Sequence, residues 1–189
     1  MDNKKAIIIG IVVLLLILWY STTSTTPTGT DLTPEQRKRV MAKVKDLWAS
    51  LIKYYAGLYK LPEKRVAAII AQESGGNLNA RGAAGEVGLM QLTAGAIAET
   101  DKRLNLKQTI IDTQVSKSFS WTDFLFGNSY SKYEVNLFEA KTNIQYGCAY
   151  LSILLDQYGN LDAATKRYNG TGTAADDYLR SVKEYEAFY

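Results

Sequence analysis

The most apolar run of the chain is also its first. Residues 6–20 read AIIIGIVVLLLILWY without a charge, and Lys4 and Lys5 stand just before them. As a helix this run spans roughly 22 Å, short of a ~30 Å hydrocarbon core, although the uncharged Ser and Thr that follow can extend it. Trp19 and Tyr20 supply interfacial rings, and no small-residue cleavage site follows. These features predict a membrane anchor over 1–20, one transmembrane helix, with the two lysines cytoplasmic and everything after Tyr20 exported; a cleaved signal is the alternative. Residues 21–32, STTSTTPTGTDL, are polar and of low complexity and read as a linker. The folded domain is expected over 33–189.

Within that domain the apolar positions recur at helical spacing. Thr33-Pro34-Glu35-Gln36 has capping-box spacing with Pro at the first helical position, and Val40, Val44, Leu47, Trp48, Leu51, Ile52 and Tyr55 follow at offsets of three and four. Pro62 opens a second helix, apolar almost all round from Val66 to Ala71, which predicts a buried central helix ending at Glu73-Ser74-Gly75-Gly76. NLNARGAAGEVG, residues 77–88, shows no period and reads as a loop, with a short helix within 89–99. Ala140, Ile144, Gly147, Cys148, Leu151, Leu154, Leu155 and Tyr158 form a long stripe ended by Gly159. Asn160 is placed to cap the next helix, which ends at Tyr168-Asn169-Gly170, and Thr173 to cap a last one carrying Tyr178, Val182 and Tyr185. The expected class is mainly α-helical; residues 116–134, with Phe119, Trp121, Phe124, Phe126, Tyr130 and Tyr133, allow a hairpin or an irregular lobe.

Composition narrows the chemistry more than the fold. The 189 residues are 47% hydrophobic and 22% charged, values of an ordinary globular chain. The net charge of +3 is too slight and scattered to argue for nucleic acid. With one cysteine, Cys148, and no histidine, an internal disulfide, a Cys/His zinc site and an imidazole base are excluded. Acid and base work falls to carboxylates, Tyr or Lys.

Glu73 is the carboxylate with an unusual setting. A nearly all-apolar helix delivers it, and it sits at the end where unpaired carbonyls place negative partial charge, so both burial and the dipole disfavour ionisation. A carboxylic acid kept protonated near neutral pH is what glycosidic cleavage requires, because a sugar alkoxide leaves only when its oxygen is protonated.

Four blocks in order extend that reading: Glu73-Ser74; Gly88-Leu89-Met90-Gln91; Asn143-Ile144 with Gly147 and Tyr150-Leu151; and Tyr168-Asn169-Gly170. Together they resemble the signature blocks of the lysozyme-like lytic transglycosylases, the soluble lytic transglycosylase (SLT) family, over about residues 61–185. The resemblance implies a mainly α, lysozyme-like domain with a cleft for a peptidoglycan glycan strand. It implies cleavage of the bond between N-acetylmuramic acid and N-acetylglucosamine, with closure of a 1,6-anhydro ring and no cofactor or metal. On this chain it makes Glu73 the catalytic acid and base, and places Ser74, Met90, Gln91, Tyr168 and Asn169 on the substrate site, with the Tyr168 hydroxyl orienting Glu73. Asn143, Ile144 and Gly147 are expected to be structural: a polar cap, a core side chain and close helix packing.

Two departures from the family pattern matter. Gly82 stands where members often have Ser, and Glu86 where they have a small residue, which makes Glu86 a candidate second carboxylate. If Glu86 positioned a water, the reaction would become that of a hydrolytic muramidase on the same fold. The second departure is the interval of 51 residues between Gln91 and Asn143, longer than is typical of the family, whose aromatic-rich 116–134 stretch is expected to line the cleft, to dock a partner or to pack on itself. A third reading is a catalytically idle peptidoglycan-binding assembly protein. The expected setting is a membrane-anchored protein with its domain on the periplasmic side, in an envelope, secretion or virion complex.

Overall fold

The structure, a computed structural model, describes residues 32–104 and 137–189; the predicted anchor over 1–20, nearly all of the linker and the aromatic-rich 116–134 stretch lie outside these residues. Six helices are present among the described residues: α1 Pro34–Leu58, α2 Glu63–Ser74, α3 Ala94–Leu104, α4 Ala140–Tyr158, α5 Leu161–Asn169 and α6 Thr173–Glu186. No strand is present among them, only isolated bridges of Val87 with Arg81 and with Leu92. None of these helices is long and apolar enough to cross a membrane.

The expected caps are present at Thr33, Gly159 and Asn160 and fail at Thr173 and Asn143. Thr33 Oγ1 accepts from the Gln36 amide at 3.3 Å while the Thr33 amide donates to Gln36 Oε1 at 2.8 Å, the reciprocal box. Gly159 ends α4 in the left-handed region, at φ 74°, and Asn160 Oδ1 caps α5 by accepting from the Ala163 amide. Thr173 is not a cap. It is the first residue of α6, the cap position falls to Gly172, and no side chain bonds there. The buried face of α1 also differs in register from the stripe expected for it: Arg37, Met41, Val44, Ile52, Tyr55 and Ala56 are buried, whereas Leu47 is half-exposed. A helix repeats every 3.6 residues, so an apolar stripe wider than the contact leaves some members on its margin.

The centre of the core is α2, whose Val66 to Ile70 are fully buried, packed with α1 on one flank and α6 on another. Arg65 on the same helix is also buried and is satisfied on all sides: it pairs with Glu186 at 2.5 Å and Asp162 at 3.1 Å and donates to Thr165 Oγ1 at 2.7 Å. These bonds tie α2 to α5 and α6 near the start of α2, while its far end carries Glu73.

After α2 the chain is held from α1. Gly75 closes the helix at φ 58°, Lys43 Nζ donates to Gly75 O at 2.9 Å and Trp48 Nε1 to Gly76 O at 3.2 Å. Gly76 is required on two counts, a φ of 73° and Val44 Cγ2 only 3.1 Å from where a Cβ would stand. The loop over 80–92 is then clamped by α4. Asn143 Oδ1 accepts from the Met90 amide at 2.8 Å, and Asn143 Nδ2 donates to Leu137 O at 2.9 Å and Val87 O at 3.1 Å. Asn143 therefore caps no helix end; it stands in for a missing strand partner of the loop. Ile144 is fully buried, and Gly147 leaves the space that Met90 Sδ fills, as close packing requires.

Asn143→Ala should strand the Met90 amide and two loop carbonyls without partners. The expected loss is about 2–4 kcal/mol of unfolding free energy in a denaturant titration. A loss well under ~1 kcal/mol would mean that the loop holds its own conformation.

Candidate active site

Glu73 occupies the last turn of α2, partly buried, and its Oε1 accepts a hydrogen bond from the Tyr178 hydroxyl at 2.6 Å. Removal from water raises its pKa from an ordinary 4.5 to about 7; the Tyr178 bond opposes that rise and the negative charge of Glu86 adds to it. Desolvation outweighs the hydrogen bond, so the neutral acid is held in large part near pH 7. Tyr178, on α6, is 6% exposed, and both burial and the Glu73 charge push its own ionisation well above the usual tyrosine range. It is therefore a donor only at the carboxyl.

The loop residues divide by what their side chains do. Ser74 Oγ lies 2.8 Å from Leu89 O and 3.1 Å from Ile70 O, so its proton is committed to backbone and fastens the loop to the end of α2. Met90 is fully buried against Gly147, and its contribution is a backbone one. Its expected place along the sugar sites is therefore not matched by its side chain, which the Gly147 gap draws inward. Gln91 is part-buried with φ 44°, a left-handed setting costly for a side-chain-bearing residue, and Nε2 donates to Gly88 O at 2.9 Å. Its carboxamide lies back across the loop, with Oε1 3.0 Å from where a Gly82 Cβ would be. Glu86 uses the same vacancy: its Oε2 overlaps the position a Gly82 side chain would take and accepts from the Ala84 amide at 3.0 Å. The departures at 82 and 86 are thus one change, a small residue admitting a carboxylate.

Tyr168 departs from expectation. Its hydroxyl donates to Met90 O at 2.9 Å and makes no bond to Glu73, although its ring lies near enough for the Glu73 charge to raise its pKa. The reason is that the α5 end faces the buried Met90 turn, whose carbonyl needs a donor, while α6 brings Tyr178 to the acid. Asn169 is exposed at the end of α5. On spacing alone Tyr178 is only a face residue of the last helix; the signal that marks it is that a buried tyrosine hydroxyl must find a partner. Among the described residues no group of three or more His, Cys, Asp or Glu could hold a metal.

The sequence and the fold match known proteins. The family model for the transglycosylase SLT domain matches residues 50–188. The chain belongs to the transglycosylase SLT domain family. A relative from Buchnera aphidicola, membrane-bound lytic murein transglycosylase E, is 27% identical over 145 residues, 72% of this chain and 56% of the relative. The chain thus spans about half the length of that relative. Among solved structures, the 70 kDa soluble lytic transglycosylase of Escherichia coli aligns at a TM-score of 0.56 with 21% identity, over 75% of this chain and 24% of that one. An inactive mutant of the lytic transglycosylase Slt from Pseudomonas aeruginosa aligns at 0.54 with 22% identity, over 74% and 23%. At these identities the two structures speak for the fold of the SLT domain alone.

The raised pKa of Glu73 in the SLT domain has a thermodynamic counterpart. The folded state holds the Glu73 proton more tightly than the unfolded chain, so this stabilisation is complete below pH 4.5 and is lost as pH rises to about 7. The loss is at most on the order of 3 kcal/mol. Glu73→Gln, which cannot ionise, should therefore match the wild type in stability near pH 4 and exceed it by up to that amount above pH 7. Parallel unfolding curves at all pH values would contradict the buried acid.

Proposed function

We propose that this SLT domain cleaves the β-1,4 bond between N-acetylmuramic acid and N-acetylglucosamine in peptidoglycan as a lytic transglycosylase, with Glu73 as both acid and base. The observation that carries the reading is the desolvated Glu73 carboxyl, gripped by Tyr178 and with a pKa of about 7. In the first step the Glu73 proton passes to the glycosidic oxygen as the bond to muramoyl C1 breaks, which frees the N-acetylglucosamine 4-hydroxyl. In the second the Glu73 carboxylate takes the proton of the muramoyl C6 hydroxyl as that oxygen bonds to C1. The 1,6-anhydro ring closes, Glu73 is protonated again, and no water is consumed. A pKa near the working pH suits a group that must first give and then take the same proton.

Gln91 and Asn169 are the partly or fully exposed candidates for holding the glycan, with Ser74, Met90 and Tyr168 shaping the wall behind them. The name of the Buchnera relative, a membrane-bound murein transglycosylase, supports peptidoglycan as substrate and agrees with residues 6–20 as a membrane anchor. In this reading the anchor holds an exported domain against the wall within an envelope, secretion or virion complex. Glu86 supports a second reading, muramidase hydrolysis, because its charge reaches Glu73. Its carboxylate is folded over Gly82 onto the Ala84 amide, and we assign it an electrostatic part, keeping the proton on Glu73.

Glu73→Gln should abolish release of soluble fragments from isolated sacculi. In the wild type the rate should fall as pH rises through about 7. Tyr178→Phe removes a bond that favours the carboxylate, so the midpoint should move up while turnover drops roughly 10- to 100-fold. Glu86→Gln removes a neighbouring charge, so its midpoint should move down. Wild-type turnover by Glu73→Gln, or identical midpoints in all three proteins, would refute the assignment.

A further inference from the structure

Gln72, one residue before the acid, is held by a polar chain that the proposed chemistry leaves unused. The chain begins at Arg37 on α1, 4% exposed. Arg37 Nη2 pairs with Glu184 at 3.0 Å, its guanidinium stacks 5.0 Å from the Tyr185 ring centroid, and Nη1 donates to Ser181 Oγ at 2.9 Å. A guanidinium has no acceptor, so Ser181 Oγ accepts there and must place its own proton elsewhere. It donates to Gln72 Oε1. Ser181 is 2% exposed, which makes the chain continuous and largely out of water from α1 through α6 to α2.

The register of this chain is what gives it meaning. Ser181 and Tyr178 are three residues apart on α6 and share one helix face. Their partners, Gln72 and Glu73, are neighbours in the last turn of α2. Helix α6 therefore grips the end of α2 at two points. One bond alone would leave that turn free to roll about it, and a carboxyl displaced by a fraction of an ångström loses the alignment that proton transfer needs.

We propose that Arg37, Ser181 and Gln72 form a positioning relay that locks the end of α2 against α6, so that the Tyr178 hydroxyl meets Glu73 Oε1. The inference rests on Glu73 being the acid. None of the three touches the reacting atoms; they act through Tyr178. Arg37 matters because its Nη1 donates to Ser181 Oγ while the serine hydroxyl donates to Gln72 Oε1, which joins α1 to the end of α2 through α6.

The test is a cycle of Ser181→Ala, Tyr178→Phe and the double variant in the full chain, read by turnover and by a carboxyl-carbon NMR titration of Glu73. Ser181→Ala should lower turnover roughly 3- to 10-fold and shift the Glu73 midpoint in the same upward direction as Tyr178→Phe. In the Tyr178→Phe background it should add little to either. Gln72→Met, at a partly exposed position, should reproduce the Ser181→Ala effects and serves in its place if that variant does not fold. A folded Ser181→Ala or Gln72→Met with wild-type turnover and midpoint, or with effects that add in full to those of Tyr178→Phe, would overturn the relay. Because the titration needs no turnover, failure of the relay is distinct from failure of Glu73 as the acid, which Glu73→Gln reports.

Discussion

The site depends on one conflict: a carboxyl is buried at the end of an apolar helix and must nonetheless be held in a single place. Burial alone would let Glu73 stay neutral but would do nothing to aim it. The Tyr178 bond aims it and, by favouring the carboxylate, works against the burial that keeps it protonated. Desolvation is the larger effect, and the balance falls at a pKa of about 7, where both protonation states are within reach. The Glu86 charge tips the same balance toward the acid, and only the missing side chain at Gly82 gives it room to do so.

The rest of the scaffold can be understood as support for that carboxyl. Helix α2 is buried from Arg65 to Ala71 and anchored near its start by the satisfied Arg65. The chain that leaves it is pinned by Lys43, Trp48 and Ser74, and the following loop by Asn143, with Gly147 admitting Met90 beneath it. Tyr168 closes the wall by satisfying the Met90 carbonyl. Most of the polar side chains around the site thus bond to backbone, which leaves Tyr178 as the hydroxyl that reaches the acid.

Local chemistry was readable from the sequence where it is short in range. The Thr33 box, Gly159, the Asn160 cap and the apolar run leading to Glu73 each follow from spacing within a few residues, and each is present. Thr173 misled because Gly172 can adopt the cap geometry itself, leaving the threonine inside the helix. The partners of the acid were harder to see, since Tyr168 and Tyr178 are both aromatic residues at helical positions and differ only in which turn their helix packs against. That difference is tertiary: 105 residues separate Glu73 from Tyr178 and 144 separate Arg37 from Ser181, and no local pattern spans such distances. The role of Glu86 was visible as a departure, but its dependence on Gly82 required the loop to be folded.

If one carboxylate performs both proton transfers, the fate of the sugar C1 is decided by the C6 hydroxyl and not by water. Mass spectrometry of the fragments released from purified sacculi reads that choice directly. The account predicts muropeptides ending in 1,6-anhydro-N-acetylmuramic acid, lighter by one water than their hydrolysed counterparts. Fragments ending in reducing N-acetylmuramic acid would contradict it and would make Glu86, or another carboxylate, the base for a hydrolase.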